Sequence, residues 1–118
     1  MSYQSFEELR VWKKASRLAV DVYGVFKTSR DRGLKDQITR SAVSIASNIA
    51  EGAERESEKD FARFLRIAKG SAAELRTQLY IAAEIGELGK DDKTRLVGDV
   101  KKIAAMLHGL TKSVGNPR

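Results

Sequence analysis

Between Leu34 and Ser57, polar residues recur every three or four positions, at Gln37, Arg40, Ser41, Ser44, Asn48, Glu51 and Arg55. Side chains so spaced stack along one side of an α-helix. They run beside Leu34, Ile38, Ala42, Ile45 and Ile49, an apolar stripe on the same rod. A polar line touching an apolar one predicts that part of it faces a neighbouring helix rather than water.

The rest of the chain supports helices and little else. Its one proline, Pro117, lies in the tail, and no β-branched run bounded by turn residues occurs. A first helix is expected to begin at Ser5, with Glu8 three residues on completing a capping box, and to end near Lys27 or Thr28. A second runs from about Gly33 to Arg55. Ser57, three residues before Asp60, caps a third that reaches Glu87, with Gly89 as its terminator. Asp91 or Asp92 caps a fourth, running to about Ser113 before the Gly-Asn-Pro tail.

Connections of a few residues fold consecutive helices back on one another. The expected fold is therefore all-α, a single domain over residues 1–118 built as an antiparallel up-and-down four-helix bundle. Helix 3 directs Phe61, Phe64, Leu65, Ala68, Ala72, Leu75, Leu79 and Ala82 inward, with Lys59, Arg63 and Arg66 outside. Helix 4 does the same with Leu96, Val100, Ile103, Leu107, Leu110 and Val114.

A helix 2–helix 3 hairpin turning near Ser57 sets Gln37 opposite Gln78, Arg40 opposite Glu74, and Ser44 opposite Ser71. Small residues, among them Ala42, Ala46, Ala50, Gly70, Ala72 and Ala73, allow close approach of the two backbones. The expectation is a structural polar network of Gln37, Arg40, Ser44, Asn48, Ser71, Glu74 and Gln78, centred on an Arg40–Glu74 ion pair. Such a network sets register more than it adds stability, because desolvation offsets much of the Coulomb gain.

Helix 1 is apolar over too wide an arc. Leu9, Trp12, Ala19 and Tyr23 form a second stripe beside Val11, Ala15, Leu18, Val22 and Val25, together covering roughly 200° where a surface helix buries about 100°. Two readings follow: a subunit interface at Leu9, Trp12 and Tyr23, or a deeply packed helix whose aromatic edges stay wet.

Twenty-two Lys and Arg against sixteen Asp and Glu leave a net charge of +6, which favours an anionic partner. The excess belongs to the two ends: residues 1–30 and 91–118 each hold six basic and three acidic side chains. Arg10, Lys13, Lys14 and Arg17 form one continuous stripe opposite the core face of helix 1, suited to phosphate contacts. The same four residues also read as an ordinary solvated face.

Nothing in the sequence assembles a catalyst or a cofactor site. There is no cysteine, so no thiol nucleophile and no thiolate metal site. The lone histidine, His108, adjoins the apolar face of helix 4; two carboxylates without a Glu-x-x-His partner do not match a di-metal bundle. Phosphate-binding loops, G-x-S-x-G and H-E-x-x-H are all missing. With no secretory-type leader and no apolar run near ~20 residues, a soluble cytoplasmic protein with no membrane partner is expected.

The run Ser44-Ile45-Ala46-Ser47-Asn48-Ile49-Ala50-Glu51-Gly52, followed by Phe61, Arg63-Phe64-Leu65, Ile67-Ala68, Gly70-Ser71 and Glu74-Leu75, carries a family likeness. Phe6, Leu9, Val11-Trp12 and Ala15 extend it to the opening helix. The chain resembles the four-helix bundle proteins named for open reading frames in intervening sequences of bacterial 23S rRNA genes. That resemblance implies a homopentamer. The family is also similar to the accessory protein of diversity-generating retroelements, which binds nucleic acid and works beside a reverse transcriptase. No catalytic residue transfers from it. The expected function is non-enzymatic binding of RNA or DNA, structured RNA favoured, through basic surfaces repeated around an oligomer. The alternative is a pentameric scaffold that docks a partner enzyme such as a reverse transcriptase.

Overall fold

A computed structural model describes residues 5–115. Its four long helices are α1 (Arg10–Val25), α2 (Arg32–Ala53), α3 (Glu58–Glu84) and α4 (Lys90–Gly115), preceded by a 3-10 turn at Phe6–Glu8. They form a rod of 47 × 20 × 19 Å. Each helix packs on two neighbours and none on its diagonal partner, so the order around the axis is α1, α2, α3, α4. This is the all-α four-helix arrangement expected, and the face between α1 and α2 lies opposite the face between α3 and α4.

The ends of the helices follow from local chemistry. Asp31 Oδ1 accepts from the Leu34 amide at 3.0 Å, and Ser57 Oγ accepts from the Asp60 amide at 3.0 Å, satisfying donors that the first turns of α2 and α3 leave free. After α3, Gly86 takes φ +82° and the Glu87 amide returns to the Ala82 carbonyl at 2.8 Å. Gly86, which pays no Cβ penalty in that region, is thus the terminator in place of Gly89. The Gly89 carbonyl instead accepts from Lys93 at 2.9 Å and opens α4, leaving Asp91 and Asp92 within its first turn.

Helix 1 departs from expectation at both ends. Ser5 makes no side-chain cap, and Leu9 is extended (φ −72°, ψ 124°), so α1 begins at Arg10 without the capping box. The break lets Phe6 fold back edge-on against Trp12, with ring centroids 5.2 Å apart. At the other end α1 stops at Val25, and Phe26 turns inward to full burial. Ser29 in the following turn donates to the Glu87 carboxylate at 2.7 Å, tying together the two connections at this end of the rod. The last three residues, where the tail with Pro117 was placed, lie outside the described residues.

Every inward position expected on α3 is buried, as are those on α4 except the half-buried Leu110. The α2–α3 register also holds: Ser44 and Ser71 hydroxyls meet at 2.9 Å, and Asn48 Nδ2 donates to the Ser44 carbonyl at 2.8 Å and to its hydroxyl at 3.0 Å. The ion pair does not form. Arg40 and Glu74 are both exposed and no ion pair joins them, and Gln37 is likewise exposed. At those positions the side chains leave the helix contact for water, where holding two long side chains in one geometry costs about as much as a solvated pair gains, ~0–1 kcal/mol. Gln78 is buried, and its Oε1 has no hydrogen-bond partner.

Of the glycines on α2 and α3, Gly52 and not Gly70 is the one pressed against the facing helix. A Cβ on Gly52 would lie 2.6 Å from Phe64 Cβ and 3.1 Å from Phe61 Cδ1; one on Gly70 would meet nothing within 4 Å. Phe64, buried over this contact, also carries the Arg55 and Arg63 guanidinium groups at 4.7 and 4.6 Å from its ring centroid.

Candidate nucleic-acid interface

The amphipathic pattern of α1 buries Val11, Ala15, Leu18 and Val22, which turns Arg10, Lys13, Lys14 and Arg17 out to solvent. All four are exposed, and none is paired with a carboxylate among the described residues. Lys14 and Arg17 form one wall of a cleft of about 130 Å³ between α1 and α4; Asp99, Lys102 and Ile103 form the other, with Asp21 at its end. Lys102 thereby joins the helix 1 ridge from the far end of the sequence. Its place was readable only once α4 was set antiparallel beside α1.

The carboxylates of the cleft are not equivalent. Asp21 is held by the Arg95 guanidinium of α4, which also donates to Asp92 at 2.9 Å. These hydrogen bonds, first to Asp92 and then to Asp21, hold the Arg95 pKa above its ordinary value. Asp99 lines the cleft with no such partner. The ridge is therefore strongly basic from Arg10 to Arg17 and closed by an ion-pair network at Asp21.

On the other side of α1 the surface is apolar. Phe6, Trp12, Ala19, Val43, Ala46 and Ala50 line a shallow groove against α2. Val43 continues into a second, more polar depression with Tyr23, Asp36, Thr39, Arg40 and Ser44. Of the three residues expected at an interface, Leu9 and Trp12 are half-buried against the core and Tyr23 is half exposed. Val20, 72% exposed beside them, is the most uncovered large apolar side chain among the described residues and was not singled out by the sequence pattern. Its signal was available, since a valine beside two apolar stripes widens the arc further.

Among the described residues, no group of three or more His, Asp or Glu side chains is placed to hold a metal ion. His108 sits on the exposed side of α4, where its Nδ1 meets Lys69 Nζ at 3.1 Å. Among the described residues no helix is long and apolar enough to cross a membrane.

Four long helices packed side by side, with no strand among the described residues, place the chain among the small all-α bundle proteins. Within that class, residues 7–109 match the model of the 23S rRNA-intervening sequence protein family, and the chain belongs to that family. Its fold is similar to the crystal structure of a protein of unknown function from the S23 ribosomal protein family of Bacteroides thetaiotaomicron. The two share 25% identity, with a TM-score of 0.83 over 86% of this chain and 98% of that one. No curated protein matches it.

Proposed function

We propose that this protein is a non-catalytic, oligomeric helical bundle that binds nucleic acid, with structured RNA favoured, through the basic surface of α1. One observation carries the reading: Arg10, Lys13, Lys14 and Arg17 stand exposed and unpaired on one face, with Lys102 across the cleft. Cations not engaged by carboxylates are free to displace counterions from a phosphate backbone, which yields affinity with little sequence selectivity. A homopentamer would multiply a weak contact of this kind into useful avidity. The apolar α1–α2 groove is the surface on which a second copy would sit.

That groove also supports the second reading, a cytoplasmic scaffold whose partner is a protein such as a reverse transcriptase. Binding of a labelled RNA stem-loop, followed by fluorescence anisotropy across a salt series, separates the two. The native protein is expected to bind with affinity that falls as salt rises, and the combined Arg10→Gln, Lys13→Gln, Lys14→Gln, Arg17→Gln variant to bind more weakly. Unchanged affinity in the variant rejects the α1 ridge. Absence of any salt-sensitive binding by the native protein rejects nucleic-acid binding and leaves the scaffold.

A further inference from the structure

The α3 and α4 helices bring together basic residues that lie far apart in the chain. On α3, Arg66, Lys69 and Arg76 recur at helical spacing, the first two exposed and Arg76 half-buried. On α4, Lys101, His108 and Lys112 do the same, all exposed. The contact between Lys69 and His108 at 3.1 Å fixes the two stripes side by side. No aspartate or glutamate occurs between Phe61 and Ala73 or between Val100 and Gly115. Glu74 projects from α3 about 80° around the helix from Arg66, and further from Lys69 and Arg76, at ~100° per residue.

We propose that this carboxylate-free α3–α4 face is a second phosphate-backbone binding surface, acting on the same nucleic acid as the α1 ridge; the inference rests on the reading given under Proposed function. An ammonium has three donors and no acceptor, so His108 accepts from Lys69 through an unprotonated Nδ1, leaving two N–H groups of Lys69 free for a phosphate. The stripes run about 15 Å along each helix at ~1.5 Å per residue, and lie about 8–10 Å apart as packed helices do. An area of that size spans roughly four phosphates of one strand at ~3.4 Å each. Because α4 carries Lys102 on its α1 side and Lys101 on its α3 side, the face continues around α4 to the α1 ridge. It lies opposite the apolar α1–α2 groove, so a copy seated in that groove leaves it open.

The test compares two fourfold variants of equal charge. One carries Arg66→Gln, Lys69→Gln, Lys101→Gln and Lys112→Gln; the other carries Lys27→Gln, Arg30→Gln, Arg32→Gln and Lys90→Gln at the loop end of the rod, where all four are exposed. Circular dichroism checks that both retain native helicity. With the labelled RNA stem-loop, the slope of log affinity against log salt is expected to fall by about 3 in the first variant, at roughly 0.7–0.9 per lost phosphate contact, and by less than 1 in the second. Equal losses in the two variants would assign the effect to net charge and overturn the proposal. A native protein that binds while the first variant keeps its full slope also overturns it, yet leaves the α1 reading standing. No salt-dependent binding by the native protein removes both.

Discussion

Two glycine-to-alanine substitutions in neighbouring helices are expected to change stability in opposite directions. At Gly52 a new Cβ would stand 2.6 Å from Phe64 Cβ and 3.3 Å from the Phe61 carbonyl oxygen. Carbon atoms rest at about 3.5–4.0 Å, so the shortfall against Phe64 is about 1 Å. A Cβ cannot rotate away, and Phe64 is buried with a guanidinium within 4.7 Å of its ring centroid. The hairpin itself must therefore open. Overpacking of this kind costs about 1–3 kcal/mol, against at most ~1 kcal/mol from the better helix propensity of alanine near the end of α2. The net expectation for Gly52→Ala is a loss of about 1–2 kcal/mol. Gly70→Ala meets nothing within 4 Å in the middle of α3, so only the propensity gain of about 0.5–1 kcal/mol remains. In thermal melts followed by far-UV circular dichroism at one protomer concentration, Tm should fall by about 4–8 °C for the first and rise by about 2–4 °C for the second. A Gly52→Ala protein as stable as the native one, or a Gly70→Ala protein equally weakened, would refute the assignment of Gly52 as the close contact.

Three further outcomes follow from the packing. Gln78→Leu replaces a buried amide whose Oε1 has no partner, and chemical denaturation is expected to show a change between zero and about 1 kcal/mol of added stability. A loss above ~2 kcal/mol would mean that the amide is satisfied. Ser44→Ala removes the hydroxyl that Ser71 meets and one of the two acceptors of Asn48 Nδ2, and should cost about 1–2 kcal/mol, with Ser71→Ala costing less because Asn48 keeps both acceptors. Trp12→Ala with Tyr23→Ala should lower the mass seen by light scattering while helicity persists; a native protein already monomeric removes the premise of a subunit interface there.

Apolar periodicity made the helices and core legible, because burial leaves little freedom in which residue types recur every three to four positions. The α2–α3 register was legible for a related reason, since the short side chains of Ser44 and Ser71 cannot reach past a tight interface to water and meet across it. Arg40 and Glu74 failed the same argument because long charged side chains do have an alternative, water, and at the edge of the contact they take it. The helix ends depended on which glycine adopts positive φ and on where Phe6 and Phe26 turn back to the core, choices made by tertiary contacts. Of the basic surface, only the α1 stripe was visible in the sequence. Counting charge by segment hid the α3 contribution, because Glu58, Asp60, Glu84 and Glu87 gather at the two ends of that stretch and cancel the cations in its middle.

The distribution of surface chemistry bears directly on assembly. A ring of identical subunits uses a heterologous interface, in which two different patches of one chain meet. The α1–α2 groove offers one apolar patch; exposed Ile67 and Ile81 on α3, with Ile85 just past its end, offer another on a different helix. Ile67 and Ile81, each seven residues from Glu74, share its side of α3 and so stand away from the Arg66–Lys69–Arg76 stripe. Joining the groove of one copy to the isoleucine edge of the next would bury both apolar patches and leave the cations of α1, α3 and α4 facing water. Ile81→Glu should then lower the mass in light scattering as effectively as Trp12→Ala, although the two residues lie on different helices. Loss of assembly in only one of these variants would argue against the pairing of those two patches and for a self-complementary contact through the groove alone.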